Sequence, residues 1–154
     1  MHLPSLDYQN DTRIAKREIA QTQLKEAIAL FLDKKFLCAI TLAGAAEEVF
    51  ARLLNAQSEQ SIVEDSVDSI LKLRESTGLA IMANRPKNEI FNLWNGARNT
   101  LKHHNEKSDE TVTINLFDEA YWMIKRALAN SSKLGIPIPN EVDFENWCIV
   151  ELHL

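Results

Sequence analysis

Apolar residues recur along the chain with the period of an α-helix. From about Asp11 to Leu32 the apolar positions are Ile14, Leu24, Ile28 and Phe31, and charged residues lie between them. Spacing of this kind places the apolar side chains on one face of a helix. The pattern therefore predicts an amphipathic first helix.

The next segment, FLCAITLAGAAEEVFARLL at 36–54, is apolar on almost every side. A helix that is apolar all round has neighbours on several faces. We expect this helix to be the centre of a bundle. Gly44 lies among alanines, and its missing side chain is expected to let another backbone approach closely.

Two shorter helices follow. One runs from about Ser58 to Glu75, and Ser61 and Glu64 within it have the spacing of a capping box. The other begins near Pro86, which the first turn of a helix tolerates. The apolar positions of this second helix are Ile90, Trp94, Ala97 and Leu101. We expect its stripe, and with it Trp94, to face the core.

The last long helix is predicted to begin at Asn115 and to end near Lys133, before Gly135. The short segment TVTIN before it is predicted to be extended. Trp122, in this helix, is expected to lie in the core. The tail at 136–154 is apolar enough to pack on the bundle or on a second subunit.

The composition fits one all-α domain spanning residues 1–154, a bundle of four to five helices. The chain holds only four glycines and four prolines, and 45% of its residues are hydrophobic. No signal sequence is visible and no apolar run reaches the roughly 20 residues of a membrane span, so we expect a cytoplasmic protein without a membrane partner. Cys38 and Cys148 are predicted to be free buried thiols, and no metal or cofactor is expected.

Charge is unevenly distributed. The net charge is −5, which argues against general coating of nucleic acid. The window from Arg85 to Lys107, however, holds five basic and two acidic residues and is therefore +3. A local anion site on an acidic body is the expectation.

The stretch RNTLKHH at 98–104 lies in that basic window. At about 100° per residue, Arg98 and His104 would point roughly 120° apart on a straight helix. Two explanations would bring them to a common ligand. Either the helix unwinds at His103 and His104, or a second copy of the chain supplies the missing partner across a two-fold axis.

These residue types suit a phosphodiester. Arginine offers a permanently charged fork for phosphate oxygens, and histidine can exchange a proton with a ribose hydroxyl or a leaving oxygen near neutral pH. Asn99 can orient either group through hydrogen bonds. Together they have the chemistry of a ribonuclease that needs no metal.

Arg98, Asn99 and His104 match an R-N-x-x-x-x-H signature, and in this the chain resembles the HEPN superfamily (higher eukaryotes and prokaryotes nucleotide-binding domain). The order of helices is similar as well. The resemblance implies a homodimer with a composite site that cleaves RNA without metal, as in toxins and phage-defence effectors, and an antitoxin or regulatory protein as a further partner. It implies that Arg98 binds phosphate, Asn99 orients and His104 is the acid or base.

Other residues and other functions stay open. His103, Lys102 and Asn95 are candidates for substrate binding or support. Glu47 lies in the apolar stripe of the central helix, and a carboxylate there needs a partner, so we expect it to be buried against a cation, Arg98 first. The alternatives to an enzyme are a non-catalytic HEPN-like module that binds nucleotide, RNA or a protein, and a dimer in which these residues only stabilise the interface.

Overall fold

A computed structural model describes residues 4–104 and 110–154, and within these ranges the chain is all-helical, without strands. The six helices are α1 (Lys16–Leu32), α2 (Phe36–Ala56), α3 (Ile62–Thr77), α4 (Lys87–Lys102), α5 (Leu116–Lys133) and α6 (Glu141–Leu152). A short 3₁₀ turn, Ile81–Asn84, lies between α3 and α4.

Helix α2 is the centre of the bundle, as its apolar sequence predicts. It packs extensively against both α1 and α5. The buried positions of α2 include several small residues, which let the neighbouring helices approach closely: Ala39, Ala43, Gly44 and Ala46. The main hydrophobic core therefore lies among α1, α2, α5 and α6.

A second, smaller hydrophobic cluster lies between α3 and α4. Its fully buried members are Val63, Val67 and Ile90, and Phe91 and Trp94 pack against them. Ile90 is the one buried residue of α4. Apolar burial alone thus holds α4 weakly, and polar contacts gain importance in fixing its position.

Several helix boundaries follow their sequence signals. Ser61 caps α3 in a capping box with Glu64, and Asn115 caps α5 by accepting a hydrogen bond from the Asp118 backbone N–H. These two predictions are confirmed. The first helix, in contrast, begins at Lys16 rather than Asp11, and Ile14 lies outside it and is exposed.

The C-terminal tail forms part of the bundle. Its helix α6 inserts Phe144 and Trp147 against Phe31 of α1, with ring centroids 5.3 and 5.0 Å apart. The prediction of four to five helices counted residues 136–154 as a tail. The structure forms a sixth helix there.

Two burial predictions are wrong. Trp122 is 61% exposed, because it lies on the side of α5 away from the core line of Ala120, Ile124 and Ala127. Cys38 is exposed near the start of α2, whereas Cys148 is free and buried as expected.

The segment 111–115, predicted to be extended, has no regular structure. Residues 105–109, which include Lys107 of the basic window, lie outside the described residues.

Across the described ranges, no helix combines the length and the apolar character needed to cross a membrane.

The capping box of α3 predicts a pH-dependent contribution to stability. Partial burial disfavours the charged Glu64 carboxylate, but hydrogen bonds from Asn55 and from the Ser61 backbone N–H outweigh this effect, so the pKa of Glu64 lies below its ordinary value. A carboxyl with a lowered pKa stabilises the fold above its unfolded-state pKa, and this contribution is lost as the pH falls through the folded-state pKa. We expect Glu64→Gln to unfold at lower urea concentration than the wild type at pH 7, with the difference shrinking below about pH 4.

Glu75→Gln is the matched control for this measurement. Glu75 is exposed in the last turn of α3, where a negative charge faces the unfavourable end of the helix dipole. Its replacement is expected to be neutral or slightly stabilising. An unchanged urea midpoint for Glu64→Gln at pH 7 would contradict the role assigned to the capping carboxylate.

Candidate functional site

Arg98 extends from α4 toward the central helix. Its Nη1 lies 3.0 Å from Oε2 of Glu47, and its side chain is only 11% exposed. The residue occupies the margin of the α4 apolar stripe, so its aliphatic stem can follow the surface of α2 while its guanidinium reaches the carboxylate. Arg98 is therefore a fixed, largely buried cation in the single chain.

Gly44 makes room for this arginine. A Cβ atom at Gly44 would lie 2.7 Å from Cδ and 2.8 Å from Cγ of Arg98, closer than real Cβ atoms come to other atoms. The expected close approach at Gly44 is confirmed, but the neighbour is the side chain of Arg98 and not another backbone. The glycine on α2 and the arginine on α4 thus form one packing unit.

Glu47 is the buried centre of the cluster. It is 3% exposed, and its Oε1 lies 3.3 Å from Nη2 of Arg126 while Oε2 faces Arg98. Asn130 also donates a hydrogen bond from Nδ2 to Oε1 at 3.4 Å. The prediction that Glu47 is buried against Arg98 is confirmed, and a second arginine shares it.

Arg126 was not among the residues predicted from the sequence. Its guanidinium donates to the backbone oxygen of Trp94 at 2.9 Å and to Oδ1 of Asn95 at 2.7 Å, so it links α5 to α4. The sequence does contain a signal for Arg126. Arg126 and Asn130 lie three and seven positions after the buried Met123, and this spacing puts them on the same side of α5. Two polar residues on such a line indicate buried polar partners.

The electrostatics of Arg126 follow from its position. Burial lowers the pKa of Arg126, and the Arg98 charge lowers it further, whereas Glu47 opposes both effects. A guanidinium keeps its proton in such an environment, so the cluster contains two positive charges around one deeply buried carboxylate. The Nε–H groups of both arginines are buried and have no acceptor among the described residues.

Asn99, His103 and His104 lie on the exposed side of the same helix end. Helix α4 ends at Lys102, and His103 is extended with φ −127° and ψ 133°. The first of the two explanations left open by the sequence was that the helix unwinds at His103 and His104. The helix does end before these two residues. Both histidines and Asn99 are exposed in the single chain.

The supporting candidates contact different partners. Asn95 accepts the hydrogen bond from Arg126, and Lys102 lies 3.7 Å from Oε2 of Glu48. Glu48 also pairs with Arg52 across one turn at 3.4 Å, as the spacing predicts. Lys102 and Asn95 thus belong to two separate polar contacts of α4.

A small polar cleft of about 250 Å³ opens over this cluster, between α2, α3 and α4. Its charged lining is balanced, with three arginines and three glutamates: Arg52, Arg98, Arg126, Glu47, Glu48 and Glu64. An anion entering the cleft would therefore compete with carboxylates already in place. The arrangement provides a rigidly held arginine on α4 and, at the end of the same helix, exposed imidazole and amide groups.

No group of three or more histidine, cysteine, aspartate and glutamate side chains is placed to hold a metal ion within residues 4–104 and 110–154.

Removing the buried carboxylate is expected to destabilise the fold. Glu47→Gln keeps the shape of the side chain but leaves two buried arginines without their counter-charge. Loss of one partner from a buried ion pair typically costs about 3–5 kcal/mol, and we expect a loss in this range in the free energy of unfolding from urea denaturation. Glu48→Gln removes a partly exposed carboxylate one position along and should cost about 1 kcal/mol or less. Equal effects of the two substitutions would contradict the central role of Glu47.

Gly44→Ala is expected to destabilise the protein because the new methyl group collides with the Arg98 stem. Overpacking of this kind costs about 1–3 kcal/mol. The matched control is Gly96→Ala, since nothing lies within 4 Å of a Cβ at Gly96 on α4, and alanine there should stabilise by about 0.5–1 kcal/mol.

In an Arg98→Ala background the penalty of Gly44→Ala should disappear. Urea denaturation of the wild type, the two single variants and the double variant measures the coupling between the two positions. Additive effects on the free energy of unfolding would exclude the contact.

Comparisons with known proteins found no match: no family model, no curated protein and no solved structure is similar to this chain.

Proposed function

We propose that the protein is a metal-independent endoribonuclease that acts as a homodimer and cleaves RNA by attack of the ribose 2′-hydroxyl. The proposal rests on the R-N-x-x-x-x-H signature and its resemblance to HEPN proteins. A role as a toxin or phage-defence effector, restrained by an antitoxin or a regulatory protein, follows from the same resemblance.

One observation carries the proposal. Asn99 and His104 are exposed together at the C-terminal end of α4, and Arg98, the residue before Asn99, is held in one position by buried Glu47. An arginine positioned in advance loses little conformational entropy when it meets a phosphate, and this favours stabilisation of a transition state. The exposed imidazoles at the end of the same helix can exchange protons with RNA.

The proposed reaction divides the work among three residues. The 2′-oxygen forms a bond to the adjacent phosphorus while the bond to the 5′-oxygen breaks, which leaves a 2′,3′-cyclic phosphate and a free 5′-hydroxyl. His104 serves as the acid or base that moves a proton to or from one of these oxygens. Arg98 stabilises the charge on the phosphoryl oxygens, and Asn99 orients its neighbours by hydrogen bonds.

A second subunit supplies what the single chain lacks. Arg98 is only 11% exposed and already shares Glu47 with Arg126, so the arginine of one chain offers a limited surface to a phosphate. A two-fold axis near the end of α4 would bring two copies of Arg98, Asn99 and His104 to one groove. His103 and Lys102, exposed at the same end, would contact the RNA backbone.

The test is cleavage of RNA by purified protein in EDTA, beside His104→Ala protein prepared identically. We expect the wild type alone to cleave, leaving cyclic-phosphate or 3′-phosphate ends. An oligonucleotide with 2′-O-methyl groups should resist cleavage, because its 2′-oxygen cannot lose a proton and attack. His103→Ala is the matched control and should retain most of the activity.

Other outcomes would contradict the proposal. Equal cleavage by wild type and His104→Ala would indicate a contaminating nuclease or a different site, and so would cleavage that EDTA abolishes. Sedimentation of each variant establishes whether it remains folded and dimeric.

The second candidate function is a non-catalytic module that binds nucleotide, RNA or a protein. The observation that favours it is the burial of Arg98 in an ion pair with Glu47, which is typical of a structural arginine. This candidate predicts RNA binding without cleavage in the wild type and in every variant. The cleavage assay together with a filter-binding measurement therefore separates the two functions.

A further inference from the structure

A second, larger cavity lies on the other side of Arg126, between α3, α4 and α5. Its volume is about 590 Å³, within the range of small-molecule sites in proteins. Most of its lining is apolar: Ile62, Val63, Leu93, Trp94, Trp122 and Met123. It is distinct from the cleft over Glu47, with which it shares only Val63 and Arg126.

Two tryptophans from different helices line this cavity. Trp94 of α4 is partly buried, whereas Trp122 of α5 is 61% exposed, and Leu93 beside them is exposed as well. A large exposed aromatic side chain at the mouth of an apolar cavity is a common feature of ligand-binding sites. The aromatic faces also attract cations, because their π-electrons carry negative charge.

The charges in the lining are unequally matched. Lys125 lies 3.1 Å from Oε1 of Glu145, and Arg126 lies 3.3 Å from Oε1 of Glu47, which it shares with Arg98, so both basic residues of the lining contact carboxylates outside the cavity. Glu119 has no hydrogen-bond donor and no ion-pair partner among the described residues, and Arg126 acts on it only at longer range. Within residues 4–104 and 110–154, the carboxylate of Glu119 is therefore the one in the cavity lining without a close partner.

The pKa of Glu119 reflects its burial and the charges around it. Burial raises the pKa of Glu119, and the neighbouring Asp118 adds to the rise while Arg126 opposes it. Burial disfavours the charged form of a carboxylate unless a hydrogen-bond donor or a close cation offsets it, and the described residues place Arg126 only at longer range. A bound cation would supply that charge and would restore the interactions that burial has removed.

We propose that this cavity binds a small organic cation with an aromatic or apolar body. The apolar body would fill the space between Trp94 and Trp122, and the positive group would face Glu119. The combination of aromatic rings and one carboxylate is complementary to an ammonium or guanidinium group on an apolar stem. The proposal is independent of ribonuclease activity, because Asn99, His103 and His104 are not part of the lining.

The test uses 2-phenylethylammonium as the probe and the three indole N–H signals of the protein in ¹⁵N–¹H spectra as the readout. Trp94 and Trp122 line the cavity, while Trp147 packs against Phe31 and Phe117 and serves as an internal control. We expect saturable shifts of the Trp94 and Trp122 signals and none of the Trp147 signal. At matched ionic strength, neutral 2-phenylethanol and anionic phenylacetate should bind at least about tenfold more weakly, which corresponds to loss of one favourable charge contact.

A matched pair of variants tests the carboxylate. Glu119→Gln should weaken binding of 2-phenylethylammonium by about tenfold, whereas Asp118→Asn, which removes the adjacent exposed charge, should change it by less than about twofold. Unchanged far-ultraviolet circular dichroism and thermal midpoints establish that both variants are folded.

Three results would overturn the proposal. Equal binding of 2-phenylethanol would mean that the cavity selects apolar bodies without regard to charge. Full affinity in Glu119→Gln would remove the carboxylate from the site. Shifts of all three indole signals, or of none, would mean that the cation does not bind between Trp94 and Trp122.

Discussion

The fold depends on one buried carboxylate. Glu47 on the central helix contacts Arg98 of α4 and both Arg126 and Asn130 of α5. Asn130 in turn accepts a hydrogen bond from the backbone N–H of Ile62 at 2.8 Å, which joins the start of α3 to the same cluster. The large hydrophobic core and the small α3–α4 cluster are thus connected through polar contacts of high directionality. Apolar packing would allow these two parts several relative positions, whereas paired charges in a low-dielectric interior allow few.

Local signals explain why much of the fold could be predicted. The capping residues Ser61 and Asn115 act on backbone groups only three positions away, so sequence spacing is enough to identify them. Burial of Glu47 could also be predicted, because a single acidic residue in an apolar stripe has to find a partner. Identifying Arg98 as that partner required only that one basic residue lie at the margin of a neighbouring stripe.

The remaining features depend on contacts between distant parts of the chain. Arg126 reaches Glu47 from 79 positions away, and no local spacing pairs these two residues. Helix α6 has little apolar periodicity of its own, and its helical form rests on the packing of Phe144 and Trp147 against Phe31. Trp122 is a different case, because the helical spacing that identifies Ala120 and Ile124 as core residues places Trp122 on the opposite side of α5, so its exposure could have been predicted. The candidate site divides in the same way: its residue types and the pairing of Glu47 with Arg98 were visible in the sequence, but the contact of Arg126 with Glu47 was not.

The contact between Gly44 and Arg98 also constrains how this chain can change over evolutionary time. A side chain larger than hydrogen at position 44 collides with Arg98, so it carries no stability penalty only when the residue at position 98 is too short to cross α2 there. Substitutions at the two positions are therefore favoured in one order. The arginine is lost before the glycine, and the glycine is gained before the arginine. Lineages that keep the R-N-x-x-x-x-H signature on this scaffold should therefore carry a glycine about three turns before the end of α2. That glycine would mark them even where the rest of the sequence has diverged.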